Sequence, residues 1–200
     1  MEPYSADAAI EILRAILEKI RYVGAVLAAR QIHNLALIGF MGTGKSSVGR
    51  LVADALHFTF LDTDDVIVGR AGKSIAEIFE HNGETAFREF ERRLVEELSR
   101  RKNTVISTGG GLPANEANFA SLRTHALLVC LWASPEKIWD RVRGQSHRPL
   151  LGEADPLEKI RKLLTERERY YRQADVLVNT DMRSVREVAA QVLHQFHMAK

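Results

Sequence analysis

Two hundred residues with 46% hydrophobic and 27% charged side chains is the composition of one globular domain, or of one domain with an appendage, and it excludes a disordered or collagen-like chain. Lys plus Arg is 28 and Asp plus Glu is 26, a formal charge of +2, which argues against a general nucleic-acid binder with a concentrated cationic stripe. The single cysteine, Cys130, cannot form an internal disulfide, and no Cys/His cluster has zinc-finger spacing, so a reducing cytoplasm is the expected compartment and a buried, inert thiol the expected state of Cys130.

The first ten residues, MEPYSADAAI, are acidic where a signal peptide would be basic. Leu13, Ile16, Leu17, Ile20, Val23 and Leu27 recur at three- and four-residue steps and predict an amphipathic helix ending near Arg30. Residues 1–33 therefore read as an N-terminal helical extension. Its apolar face packs on the domain behind it, or serves a dimer or partner contact; its mixed charges argue against a membrane surface. No uncharged run approaches the roughly 20 apolar residues of a membrane span, and a soluble, cytoplasmic chain is expected.

From residue 34 onward short apolar runs alternate with helical patterns, the order of a parallel sheet covered by helices. Strands are expected at 35–40, 58–62, 104–108, 126–132 and 176–180, their β-branched, near-continuous apolar character suiting strands buried on both faces. Helices are expected at about 45–56, 74–101, 113–122, 135–143, 156–172 and 184–197. Ser184 with Glu187 three residues on forms a capping box for the last of them. The fold class is thus α/β, three layers around a five-stranded parallel sheet.

Gly39-Phe40-Met41-Gly42-Thr43-Gly44-Lys45-Ser46 fits G-x-x-x-x-G-K-[ST], between an expected strand and an expected helix as a phosphate-binding loop requires. Glycines let the backbone turn so that successive N–H groups face phosphate oxygens, and the helix amino terminus adds partial positive charge. Lys45 reaches the β- and γ-phosphates of such a ligand and the Ser46 hydroxyl ligates Mg²⁺.

A phosphate loop names a nucleotide and leaves the reaction open, so the ends of the other strands, where a parallel sheet places its ligands, carry the rest. The second strand ends in Asp62-Thr63-Asp64-Asp65. Two carboxylates two apart in an extended stretch point to one side, one suited to Mg²⁺ and one to an acceptor hydroxyl; taken alone, the segment reads better as an acidic turn or helix N-cap. Arg88 and Glu91 share a helix face, the spacing of a surface ion pair. The third strand runs into Gly109-Gly110-Gly111, which removes every side chain and lets a ligand or a second backbone approach closely. Arg141 to Gly152 concentrates three arginines, two glycines and Pro149 between helical patterns, a composition suited to a lid.

GFMGTGKSSVG, FLDTDDVI, GKSIAEIFEHNGETAFREFE, STGGG, RPLL and RERYYRQAD, in that order, resemble the shikimate kinase family of P-loop small-molecule kinases over about residues 34–198. The resemblance implies a P-loop kinase domain at 34–200, with a lid at about 143–156 and a substrate-binding region at about 62–95. It implies transfer of the ATP γ-phosphoryl group to the 3-hydroxyl of shikimate, with Mg²⁺ as cofactor and with ATP and shikimate as ligands; a monomer is the default expectation, with a dimer or partner contact through the N-terminal helix as the alternative. Gly42, Thr43, Gly44, Lys45, Ser46 and Ser47, with Arg141 on the adenine side and Arg148 of RPLL, would hold ATP. Asp62 would help hold Mg²⁺ alongside Ser46. Asp64 would bind the shikimate hydroxyls and orient the acceptor, and Lys45 and Arg148 would stabilise the transferring phosphoryl group. Arg88 and Arg167 would clamp the carboxylate, Gly109, Gly110 and Gly111 would line the pocket through backbone amides, and Phe79 and Phe87 would wall it.

The sequence departs from the family at Arg169, which replaces a common proline and competes with Arg167; the four-residue spacing to Tyr171 favours Arg167. The residues of 179–184, on the adenine side, carry no individual assignment. Two alternatives stay in view: another small-molecule kinase such as a gluconate kinase, and a shikimate-kinase-like sensor whose N-terminal helix signals to a partner. His194 and His197 share a helix face but read as surface residues, and Trp132 and Trp139 as packing residues.

Overall fold

The computed structural model describes residues 30–144 and 155–200. The expected N-terminal helix, apart from Arg30, and the centre of the expected lid, Arg148 included, lie outside the described residues. The sheet is built from β1 (Asn34–Ile38), β2 (Thr59–Asp62), β3 (Thr104–Ser107), β4 (Ala126–Trp132) and β5 (Val176–Asn179). All pairings are parallel, in the order β2-β3-β1-β4-β5.

Strand periodicity splits the core in two. Leu35, Leu37, Leu127 and Val129 face α1 (Lys45–Leu56) and α7 (Val185–Met198). Ala36, Ile38, Leu128 and Cys130 face the opposite layer. That layer consists of α2 (Thr63–Ala71), α3 (Ile75–Leu98), α4 (Glu116–His125), α5 (Pro135–Val142) and α6 (Pro156–Tyr171). The three-layer expectation holds, each fully buried Leu or Ile contributing about 2 kcal/mol of transfer free energy. Cys130 is buried, and burial pushes its thiol up to about 12. No helix among the described residues is long and apolar enough to cross a membrane.

Several sequence expectations shift. Burial on both faces holds for β1 and β3, but β2 and β5 are sheet edges and partly exposed. Residues 63–71 form a helix that the apolar pattern does not announce. Asp62 is its N-cap, accepting from the Asp64 amide at 3.1 Å, and Gly72 ends it at φ 63°. Asp64 therefore sits on a helix and not in an extended stretch. The expected helix at 74–101 starts at a Ser74/Glu77 capping box, ends at Leu98, and is kinked at Gly83, whose φ 75° and ψ 170° leave the helical region. The helix expected at 113–122 is preceded by a 3₁₀ turn, Leu112–Ala114, and Asn115 caps it. Trp132 is exposed, whereas Trp139 packs on the core. The capping box at Ser184 is present.

The amino ends of the strands are tied together by one buried amide. Asn34 Nδ2 donates to the Arg101 carbonyl (2.8 Å) and to His125 Nδ1 (2.9 Å), and its Oδ1 accepts from the Thr104 amide (3.0 Å). The acceptor role leaves His125 neutral. Burial lowers its pKa below the ordinary 6.5, helped by the nearby charges of His33 and Arg30. The unfolded chain then binds more protons than the folded one below about pH 6.5, so this group's contribution is complete above that value and is lost as pH falls. Unfolding free energy is expected to drop as pH is lowered from about 7 to about 5, and His125→Gln to flatten that slope, as measured by urea titration across the range.

Candidate active site

The phosphate loop leaves the carboxyl end of the central strand. Gly39 takes φ 134°, and a Cβ there would fall 2.1 Å from the Leu131 carbonyl oxygen, so no other residue fits. The loop closes on Gly44, the N-cap of α1, with no side-chain cap and no acidic residue in the first turn. The first amides of α1 are thereby offered to an anion, with the helix dipole behind them. Lys45 is folded against the loop, its Nζ donating to the Phe40 carbonyl at 2.8 Å, which the Thr43 hydroxyl also meets at 2.8 Å.

Beside the loop, strand register sets Asp62 opposite Ser107. Ser46 Oγ donates to Asp62 Oδ2 at 2.8 Å and lies 3.4 Å from Ser107 Oγ. Three hard oxygens thus meet at the mouth of the anion site. Asp62 does two things the sequence offered as alternatives: one carboxylate oxygen caps α2 and the other faces the phosphate loop.

The glycine run after β3 explains why the remaining side chains converge. A Cβ on Gly109 would sit 2.4 Å from Asp64 Oδ1, one on Gly110 would sit 3.4 Å from an Arg167 guanidinium nitrogen, and one on Gly111 would sit 3.1 Å from Arg88. One carboxylate and two guanidinium groups, from α2, α3 and α6, occupy the space that three side chains would have filled. The run is held at both ends of Gly109-Gly110: the Gly109 amide donates to Thr63 Oγ1 at 2.8 Å and the Gly110 carbonyl accepts from the Tyr171 hydroxyl at 2.8 Å. The Gly109 amide is thus engaged by Thr63, which leaves the amides of Gly110 and Gly111 for a ligand.

Arg88 is held by two carboxylates. Its Nε and one terminal nitrogen donate to Glu84 (3.1 and 2.8 Å), and the other terminal nitrogen donates to Glu91 at 2.8 Å. Glu91 is no surface partner: its side chain is 1% exposed. Burial raises its pKa, opposed by the Arg88 bond and charge, raised further by Asp64 and lowered by Arg167. For Arg88, burial works against the charge, but the bonds to Glu91 and Glu84 outweigh it and its pKa is raised. Arg167 stands 5.5 Å over the Phe40 ring, while Arg169 turns outward onto Tyr170. Phe87 is buried against Phe79 at 4.9 Å between ring centroids, but Phe79 is itself exposed.

A cavity of about 590 Å³ is lined by Gly42, Thr43, Gly44, Lys45, Ser46, Ser47, Asp62, Asp64, Gly110 and Arg141 among others. Of the glycine run only Gly110 lines it; Gly109, Gly111, Arg88 and Arg167 lie behind and beside that lining. Arg141 donates to the Gly42 carbonyl (3.1 Å), the Thr180 hydroxyl (3.0 Å) and the Thr180 carbonyl, which fixes it between the phosphate loop and the turn after β5. Sequence reasoning assigned no role to Ser107, Thr108, Thr180, Arg183, Val185 or Val188, all lining residues. The only available signal was their position at strand ends and at the start of α7.

A phosphate loop at the switch point of a parallel sheet, with carboxylates and guanidinium groups gathered around a second, side-chain-free floor, defines a P-loop phosphotransferase acting on a small molecule. The family model "Shikimate kinase" matches residues 41–197. The shikimate kinase of Caldanaerobacter subterraneus subsp. tengcongensis is 45% identical over 163 residues, 82% of this chain and 95% of that protein; that of Deinococcus radiodurans is 43% identical over 169 residues, 84% and 86%. The shikimate kinase of Acinetobacter baumannii, solved in complex with shikimate, superposes with a TM-score of 0.80 at 35% identity, covering 86% of this chain and 97% of that one. A gluconokinase from Sinorhizobium meliloti, at 17% identity and a TM-score of 0.55, shares the fold alone. The chain belongs to the shikimate kinase family.

The tightest contact of the glycine run gives a test. A methyl group at position 109 must push the Asp64 carboxylate aside; if that carboxylate orients the acceptor, as the sequence resemblance implies, a displacement of about 1 Å costs on the order of 100-fold in rate. Gly109→Ala is expected to lower phosphoryl transfer by that order while leaving ATP affinity unchanged, measured by ADP release and by nucleotide titration.

Proposed function

We propose that this chain transfers the γ-phosphoryl group of ATP to the 3-hydroxyl of shikimate, giving shikimate 3-phosphate and ADP, with the residues converging on Gly109 to Gly111 as its acid-binding half. The observation that carries the reading is the placement of Asp64, Arg167 and Arg88 over those three glycines, next to a phosphate loop. Family membership supports it. A carboxylate takes two parallel hydrogen bonds from a guanidinium fork, so Arg88 and Arg167 together fix a small acid in one orientation. Asp64 then accepts from the ring hydroxyls, orients the acceptor oxygen toward the γ-phosphate and takes its proton. Lys45, the amides of Gly42 to Ser47 and, from beyond the described residues, Arg148 neutralise charge on the transferring group. Catalysis is mostly positioning plus electrostatics. Arg141, pinned by Thr180, presents its guanidinium on the adenine side.

Members of the family are ATP-dependent and generally need Mg²⁺. The residues here fit that ion. Magnesium prefers oxygen ligands, keeps several waters and is held by one or two protein groups together with substrate phosphates; the Ser46 hydroxyl and Asp62 carboxylate, 2.8 Å apart at the loop mouth, are such a pair. The described residues contain no cluster of three or more His, Cys, Asp or Glu able to cage a metal, in keeping with an ion that arrives with the nucleotide. When bound, it would neutralise phosphate charge. A gluconate kinase also receives a carboxylate, so the two arginines do not separate it from this reading; membership of the shikimate kinase family does, and a sensor would have no need of Lys45, Asp62 and Asp64 around one phosphate loop.

ADP release measured with and without shikimate tests the reading directly; release indifferent to shikimate would overturn it. Asp64→Asn is expected to lower kcat by about 10³, within the usual range for a lost general base, with ATP binding retained in a nucleotide titration. Arg88→Lys keeps a cation beside buried Glu91 but removes the fork. It is expected to raise the KM for shikimate about tenfold, the equivalent of about 1.4 kcal/mol, without changing the KM for ATP.

A further inference from the structure

Tyr171 is the last residue of α6, one helical turn beyond Arg167, and it belongs to the buried core at 7% exposure. Its ring packs with the cluster under the sheet, but its hydroxyl points at the site. That oxygen donates to the Gly110 carbonyl at 2.8 Å, across 61 residues of sequence. The Arg167 guanidinium, one turn back on the same helix, is close enough to act on that oxygen, lowering its pKa against the effect of burial. Gly110 is also the glycine whose missing Cβ leaves 3.4 Å to an Arg167 nitrogen. One phenol therefore bonds the floor over which the cation of the clamp stands and lies within the electrostatic reach of that cation. Among the described residues no carboxylate pairs with Arg167 as Glu91 pairs with Arg88, although the Arg167 charge lowers the Glu91 pKa.

We propose that Tyr171 is a positioning residue for the acid substrate: its hydroxyl bridges the Arg167 guanidinium and the Gly110 carbonyl and so fixes where the second arm of the carboxylate clamp stands. The inference rests on the reading that Arg167 receives the carboxylate of the acid. A long arginine side chain has several rotatable bonds and loses much freedom when it grips a ligand; a buried hydroxyl bonded to a rigid main-chain carbonyl takes part of that ordering cost before the ligand arrives, which is preorganisation. The phenol is suited to the task because it stays neutral. Burial pushes its pKa up to about 12, against the lowering effect of Arg167, so it keeps the proton it donates to Gly110 throughout the working range of pH. Thr63 is the matching tie on the other side, bonding Gly109 beside Asp64, so the floor is referenced separately to the helix of the acceptor carboxylate and to the helix of the clamp.

The experiment is a double-mutant cycle on the full chain, with Tyr171→Phe, Arg167→Ala and the pair, reading KM for shikimate, KM for ATP, kcat and thermal unfolding. Tyr171→Phe removes one oxygen and keeps the packed ring. Its expected effect is a rise of about tenfold in the shikimate KM, the size of one lost charge-assisted bond, with kcat and the ATP KM little changed, and with no further rise when it is added to Arg167→Ala. An unchanged shikimate KM in Tyr171→Phe overturns the proposal. So does an equal rise with and without Arg167, because a merely structural tyrosine would act additively. If Arg167→Ala itself leaves the shikimate KM unchanged, or the unaltered protein releases no shikimate-dependent ADP, the underlying reading of the clamp falls and takes the proposal with it.

Discussion

The site depends on an exclusion: at the carboxyl edge of the sheet, main chain must come where a Cβ cannot be. Gly39 lies against the Leu131 carbonyl, and Gly109 to Gly111 lie against Asp64, Arg167 and Arg88. Each of those three side chains comes from a helix on one side of the sheet and reaches over bare backbone. The nucleotide half uses the same device, offering amides of the loop and of α1 instead of side chains. Both halves therefore inherit the rigidity of a parallel sheet whose central strands are fully buried.

Two levels of restraint support that arrangement. Strand register aligns Asp62 with Ser107. Single hydrogen bonds then refine the placement: Ser46 to Asp62, Thr63 to Gly109, Tyr171 to Gly110. At the opposite edge, Asn34 and His125 hold the strand starts, and Arg30 holds Asp175 at 2.6 Å and the Ala126 carbonyl at 2.6 Å, while the second Asp175 oxygen takes the Leu128 amide at 2.9 Å.

The sheet and most helices were legible because their signals are local. The run from Ala126 to Trp132, the phosphate loop and the Ser184/Glu187 box are each complete within a few residues. The helix from Thr63 to Ala71 was not, because its apolar positions form no clear stripe and its start hides in a carboxylate that also serves the loop; the N-cap option for Asp62 and the stop at Gly72 were the available clues. Arg167 and Arg169 are two apart on one helix, so they point in different directions, and only the packing of α6 decides which meets Gly110. The i,i+3 spacing of Arg88 and Glu91 could not reveal that Glu91 is buried, since burial comes from the neighbouring elements. The hydroxyl of Tyr171 meets a carbonyl 61 residues away, a relation no local pattern encodes.

Arg88 already grips a carboxylate before any acid arrives: Glu84, 65% exposed, takes its fork-side nitrogens, while Glu91 stays beneath. On the proposed reading, binding on that arm is an exchange of anions and not a first neutralisation. The guanidinium, on a side chain 33% exposed, is already paired, and the free energy gained by an incoming acid would be the difference between the pair it makes and the pair it displaces. Discrimination on that arm then comes from how well the newcomer's shape fits the glycine floor, with charge alone conferring little preference.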